Sequence, residues 1–210
     1  DEESFTRVFD DTLTIDLIDL RNGISEKLAE FDIDTGTYDH LRLYVEDASI
    51  KLLDGQIFDV KVPGGAQTGI KVFISPVITI EEGLSEELLI DFSLGKSFVP
   101  LGNYYTPAGI KGFIFKPVIR AINISDAGRI EGNIEDNNGD YLPNVEVSAE
   151  MDTLVSITYT DSSGFYALIG LPTGIYDLSA TKRGFETYTD EVVVIAGNKT
   201  GRDISLSASK

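Results

Sequence analysis

The chain has 210 residues, 42% of them hydrophobic, a formal net charge of −18 and no cysteine. The hydrophobic content supports a folded core in one or two domains. The charge is −11 over residues 1–126 (22 carboxylates against 11 basic side chains) and −7 over 127–210 (13 against 6), a spread that disfavours nucleic acid and anionic lipid, and the missing thiols exclude disulfides, thiolate metal sites and cysteine nucleophiles.

In chain order, the opening DEESF is polar and carries no basic-then-apolar signal segment, so the chain reads as a mature form or one without its leader. No run approaches the ~18 apolar residues of a membrane helix. TLTIDL alternates, with Leu13, Ile15 and Leu17 on one face, and predicts a strand. GISEKLAEF places Ile24, Leu28 and Phe31 at spacings of four and three behind Ser25 as a cap, and predicts one or two turns of helix. LRLYV is a second alternating run. SIKLL and QIFDVKV flank Asp54-Gly55, a hairpin signal for a type I′ turn. SEELLIDFS and GFIFKPVIRAINI predict longer strands covered on both sides.

The texture changes after NISDAGR. Turn signals at Asn138-Gly139, Ser163-Gly164, Thr173-Gly174 and Gly197-Asn198 then recur at short, regular spacing, as in a small sandwich. The expectation is an all-β chain of two β-sandwiches in tandem, one over residues 1–126 and one over 127–210.

Several residues of the second segment fall in a recognisable order. Gly132 and Gly139 come first, then Leu142-Pro143 before a strand, Thr160-Asp161 with Gly164 and Tyr166, Leu171-Pro172 with Gly174 and Tyr176, and Gly184-Phe185 with Tyr188. In these the segment resembles the carboxypeptidase regulatory-like domain. That resemblance implies a seven-stranded, transthyretin-like Greek-key sandwich serving as a folding or interaction module without catalytic residues. In the first segment the marks are IDLIDLRNG (Ile15 to Gly23), Gly36-Thr37-Tyr38, Leu41-Arg42-Leu43, Asp54-Gly55, KVPGGAQTGIKV, Leu89-Ile90-Asp91-Phe92 with Lys96-Ser97, and Phe115-Lys116-Pro117-Val118-Ile119-Arg120. Here the chain resembles domain of unknown function 4382, found in exported bacterial lipoproteins, some described as adhesins. The family usually shows strands before the IDLIDL run. Only about a dozen residues precede that run here, so the resemblance implies either a copy short of N-terminal strands or a protein with further residues before this stretch. The family's Asp-Phe-Asp is Asp91-Phe92-Ser93 in this chain, without the second carboxylate.

KVPGGAQTGIKV spaces Gly64 and Gly69 as a phosphate loop would, but Ile70 stands where the lysine must be and Val72 follows Lys71. Gly95-Lys96-Ser97 fails likewise, with Ile90 at the first glycine position. Both read as strand connections, and no nucleotide is expected. Asp136, Asn138 and Asp140 have the alternating oxygens of a calcium loop, but Tyr141 and Val147 occupy its glycine and glutamate positions. They are a weak calcium candidate, better read as a solvated hairpin. His40, the single histidine, follows Asp39. Adjacent strand residues point to opposite faces, so no dyad is expected. Glu81-Glu82 and Glu86-Glu87 around Gly83 read as a solvated turn rather than an acid–base pair. Tyr104 and Tyr105, in the Gly/Pro-rich VPLGNYYTPAGIKG, are the binding candidates, because loop aromatics anchor sugars and protein partners.

The reading is a non-enzymatic, exported surface or periplasmic protein of a Gram-negative bacterium, an adhesion lipoprotein needing no cofactor. Its expected partner is a protein or glycan at the cell surface, and it meets a membrane only through a lipid anchor outside this chain. The alternatives are a carbohydrate-binding accessory protein and, from the enzyme class, a hydrolase using carboxylates, which lacks a nucleophile–base–oxyanion set.

Overall fold

The computed structural model describes residues 5, 7–62, 64–103, 105–106 and 109–209. The chain is all-β and falls into two compact units. One comprises Thr37–Ile78 and Leu88–Asn123. The other comprises Asp1–Gly36, Thr79–Glu87 and Ile124–Lys210.

The strands of the first sheet are β1 (Gly36–Leu43), β4 (Ile70–Ile80), β8 (Ile119–Asn123) and β5 (Leu88–Phe92), in the order β1-β4-β8-β5. β4 and β8 run parallel, with Ile74 opposite Ala121, and β5 is antiparallel to β8. Two hairpins accompany this sheet, β2 (Ser49–Lys51) with β3 (Ile57–Asp59), and β6 (Phe98–Gly102) with β7 (Ile110–Phe115). An edge-on Phe58–Phe113 contact, centroids 5.6 Å apart, joins the hairpins. Alternation along β4 buries Ile70, Val72, Ile74 and Ile78.

The second sandwich holds the larger core. One sheet orders β11 (Leu154–Tyr159), β10 (Glu146–Met151), β13 (Gly174–Thr181) and β14 (Tyr188–Val194), all antiparallel. The other pairs β12 (Phe165–Pro172) with β9 (Ala127–Asp136), and lays β15 (Lys199–Gly201) and β16 (Ile204–Leu206) parallel to β9. β15 and β16 are one run interrupted at Arg202-Asp203, so the sandwich has the expected seven strands, four against three. Ile130, Ile134, Val145, Val147, Tyr166, Tyr176, Leu178 and Leu206 are sealed between the sheets. Each large aliphatic or aromatic side chain buried there contributes on the order of 1.5–3 kcal/mol. The two tyrosines keep their hydroxyls satisfied. Tyr166 donates to the Arg202 carbonyl at 2.7 Å and Tyr176 to the Pro172 carbonyl at 2.9 Å. Gly132 lets β9 approach the next strand, since a Cβ there would lie 2.0 Å from the Arg202 carbonyl oxygen.

Four local expectations are corrected. GISEKLAEF forms no helix: Ile24 and Phe31 are exposed, and without a packed apolar face so short a helix is not stable. TLTIDL forms no strand. Leu13 is half exposed, and the chain turns from Leu17 onward. GFIFKPVIRAINI breaks into β7 and β8, because Pro117 offers no amide to a ladder. The Asp54-Gly55 hairpin forms, but with a three-residue loop in place of a type I′ turn. The Gly55 amide closes on the Leu52 carbonyl (2.9 Å), the Leu52 amide donates to the Gln56 carbonyl (2.8 Å), and among these residues only Gly55 has positive φ (88°).

KVPGGAQTGIKV is a connection into β4, as read, with one helical turn α1 (Gly65–Thr68) inside it. Gly64 and Gly69 have φ of 75° and 69°, and a Cβ on Gly65 would sit 2.9 Å from the Val45 carbonyl oxygen. The glycines supply geometry for the backbone.

Candidate functional site

The tyrosine loop connects β6 to β7. The hairpin's base is fixed by Phe98 and Phe115, cross-strand partners whose rings lie 4.9 Å apart. At its far end Gly102 (φ 102°) passes so near Gly109 that a Cβ would meet the Gly109 carbonyl oxygen at 2.4 Å. The loop is then tied to Asn103. The Asn103 side-chain oxygen accepts from the Tyr105 amide at 2.9 Å, and its carbonyl accepts from the Thr106 amide (3.1 Å) and hydroxyl (2.9 Å). The Gly109 amide closes on the Thr106 carbonyl at 2.9 Å. This is an Asx-type turn, in which a short side chain does the work of a backbone acceptor. Tyr105 stands on it 95% exposed. An amphipathic ring on a braced turn offers contact area at low entropic cost. Tyr104 lies outside the described residues.

Asp136 ends β9, and Asn138 and Asp140 lie in the β9–β10 connection. One Asp136 carboxylate oxygen accepts from the amides of Asn138 (2.8 Å) and Asp140 (3.0 Å), and the other from the Asn138 side chain (3.1 Å). These backbone amides, that of Asp140 foremost, hold the Asp136 carboxyl below its ordinary range. Both Asp136 carboxylate oxygens thus serve the turn. Among the described residues no group of three or more His, Cys, Asp or Glu side chains gathers to hold a metal ion.

Asp39 and His40 do meet, contrary to the expectation from strand alternation. Asp39 Oδ1 and His40 Nδ1 form a hydrogen bond, and this bond holds the Asp39 carboxyl below its ordinary range. β1 is the terminal strand of its sheet, where side chains can fold around the edge. The imidazole also lies 6.2 Å from the Phe73 ring, over which Lys71 sits at 5.2 Å. Glu81, Glu82, Glu86 and Glu87 occupy the exposed turn between β4 and β5, where Gly83 has φ 77°. Asp91, of the Asp-Phe-Ser run, is opposite Arg120 on β8, which donates to it at 2.5 and 3.2 Å.

One feature escaped the sequence reading. A shallow cleft of about 410 Å³ lies on the outward face of the β10–β13–β14 sheet. The register places Ser148, Ser179 and Thr189 in one cross-strand row, and Glu150, Asp177 and Glu191 in the next. Like charges directly opposite repel, so the acidic row is a cost to the fold. Its signal was the alternation in EVSAEM, YDLSA and TDEV. The register that aligns the three stretches was not visible.

A domain of unknown function, DUF4382, matches residues 1–117, more than half of the chain. The chain belongs to the DUF4382 family. Behind this DUF4382 segment, a carboxypeptidase regulatory-like domain matches residues 129–207, in the order the sequence implied. No curated protein matches the chain. Among solved structures, the chain is similar to the Bacillus anthracis TIE protein at 11% identity and TM-score 0.37, over 83% of this chain and 34% of that one. It is similar to the minor pilin of Streptococcus agalactiae at 12% identity and TM-score 0.33, over 90% and 91%. It is also similar to the 3-chlorocatechol 1,2-dioxygenase of Rhodococcus opacus at 12% identity and TM-score 0.35, over 40% and 61%. The chain thus spans about a third of the first protein and under two thirds of the dioxygenase. At these TM-scores the likenesses carry no functional argument.

Proposed function

We propose that this DUF4382 chain is a non-enzymatic interaction protein displayed outside the cell, and that its β6–β7 loop contacts a protein or glycan ligand through Tyr105 together with Tyr104. The observation that carries the reading is Tyr105, 95% exposed on a turn fixed by Asn103. A large amphipathic ring so open to solvent on a braced loop gains both area and orientation when a partner buries it. The family resemblance supports export as a lipoprotein, with the anchor outside this chain and the outer membrane surface or periplasm as its place. Of the candidate carboxylates, Asp136 is engaged by its own turn and Asp91 by Arg120, and Glu81, Glu82, Glu86 and Glu87 stand on an exposed loop.

A second reading, carbohydrate binding, rests on the same ring, since a sugar face stacks on an exposed tyrosine. A glycan array probed with the wild-type chain and with Tyr105→Ala separates the two. Binding that falls at least tenfold in the variant establishes the glycan reading. Failure of every glycan leaves protein partners as the reading, and equal binding by wild type and variant removes the loop from it.

A further inference from the structure

Residues 16–24, the heart of the IDLIDLRNG run, form two successive turns rather than a strand. The Ile18 amide donates to Asp16 Oδ1 at 2.9 Å, the Asp19 amide to the Asp16 carbonyl at 3.1 Å, and Arg21 Nε to the Ile18 carbonyl at 2.7 Å. The second turn closes from the Ile24 amide to the Arg21 carbonyl at 3.2 Å. Its central residues Asn22 and Gly23 have φ of 54° and 78°. A type I′ turn demands this pair of positive angles, and Asn-Gly adopts it at the least cost.

This turn rests on the second sandwich. The Thr158 hydroxyl donates to Asn22 Oδ1 at 2.7 Å, and Asn22 Nδ2 donates to the Phe165 carbonyl at 3.4 Å. Thr158 belongs to β11 and Phe165 to β12, which are the terminal strands of the two facing sheets. A single carboxamide therefore spans the side of the sandwich on which two sheet edges meet. Thr158 is only 8% exposed, so its hydroxyl depends on that acceptor. Gly23 fits against β12. A Cβ on it would touch Ala167 Cβ and Ile169 Cγ2, each at 3.4 Å.

We propose that the β11–β12 side of the carboxypeptidase regulatory-like sandwich is an interaction surface whose partner is the chain's own Asn22-Gly23 turn, an internal clasp. It holds residues of the DUF4382 match against the second domain by contacts additional to the covalent connection through Ile124–Asp126. It also occupies part of two edge strands, the kind of surface that otherwise invites pairing with another chain.

The test is hydrogen exchange on the full chain, comparing wild type with Asn22→Ala, Thr158→Val and the double variant. Thr158→Val is expected to speed exchange of amides in residues 156–159 and 165–169 by roughly tenfold, the worth of about one net hydrogen bond, and Asn22→Ala, which removes two bonds, by at least as much. The double variant is expected to be no faster than Asn22→Ala, because the bond that Thr158→Val removes is one of the two that Asn22→Ala removes. Unchanged exchange at 165–169 in Asn22→Ala, or effects that multiply in the double variant, would overturn the clasp. A measurement on the wild type stands independently of variant folding. Nuclear Overhauser contacts from the Gly23 α-protons to the methyl groups of Ala167 and Ile169 are expected, and their absence would also overturn it.

Discussion

Replacing Thr160 by valine tests whether the second sandwich is held as described. Thr160 is 3% exposed and follows β11. Its hydroxyl donates to the Leu142 carbonyl at 2.6 Å and accepts from the Val145 amide at 2.8 Å. Its own amide and carbonyl bond to Val145 and Asn144, at 3.0 and 2.9 Å. Thr160→Val keeps the shape and both backbone bonds, and removes only the two made by the hydroxyl. The Val145 amide and the Leu142 carbonyl are then left in a site closed to water. Each orphaned buried group costs about 1–3 kcal/mol, and the added methyl returns under about 1 kcal/mol. The net loss is about 1–6 kcal/mol, centred on ~3 kcal/mol, a large share of the roughly 5–15 kcal/mol that keeps a domain folded. The chain has no tryptophan, so far-ultraviolet circular dichroism in urea is the assay. At a slope of about 1–3 kcal/mol/M the midpoint should fall by about 1–2 M with the slope unchanged. Thr160→Ser keeps both bonds and should cost only about 1 kcal/mol for the lost methyl. A valine variant within about 0.5 kcal/mol of wild type, or a serine variant as damaged as the valine one, would refute the reasoning.

Two further outcomes follow from the outer face of the same sheet. Asp177 stands between Glu150 and Glu191 in register, so Asp177→Asn should stabilise the fold, by about 0.2–1 kcal/mol per relieved pair at low salt. The gain should shrink in 1 M salt, where screening acts within about 3 Å; a loss of stability in thermal melts at both salt levels would contradict the row. The Tyr159 hydroxyl donates to Glu146 at 2.7 Å, and that bond, with burial second, pushes its pKa up to about 12. A raised folded-state value means that stability from this bond is complete below the unfolded tyrosine value near 10 and is lost as pH rises through 12. Glu146→Gln should therefore shift one tyrosine to lower pH in an ultraviolet titration and advance alkaline unfolding. An unchanged titration would place the cause elsewhere.

Legibility in the sequence followed the range of the interactions involved. The second sandwich was readable because its turns are punctuated locally: Asn138-Gly139, Ser163-Gly164 and Gly197-Asn198 each bring a glycine at positive φ between alternating runs. Asp54-Gly55 was readable as a hairpin for the same reason. The spacing of Ile24, Leu28 and Phe31 misled, because periodicity predicts a helix only if its apolar face finds a surface to cover, and here two of the three residues remain exposed. Asp39 and His40 misled because the alternation rule fixes where a Cβ points and leaves a longer side chain free to turn at a sheet edge. The contacts of Asn22 join residues 136 and 143 positions apart, and nothing local signals them. The tyrosine loop lies between these cases. Its Gly/Pro composition marked a loop, and the exposure of Tyr105 depends on the turn that Asn103 makes.

The central claim is that this chain meets its partner through the tyrosine loop, and adhesion tests it most directly. Beads coated with the wild-type chain, with Tyr105→Ala, or with the Tyr104→Ala/Tyr105→Ala double variant are applied to a panel of matrix and cell-surface proteins and glycans. Folding of each is checked beforehand by its urea midpoint. The account predicts retention of wild-type beads on at least one surface. It also predicts at least a tenfold loss for the single variant, the scale of an interface anchor worth about 2 kcal/mol, and a further loss for the double variant. Retention that is equal for all three beads, or indifference of the wild type to every surface, would contradict it.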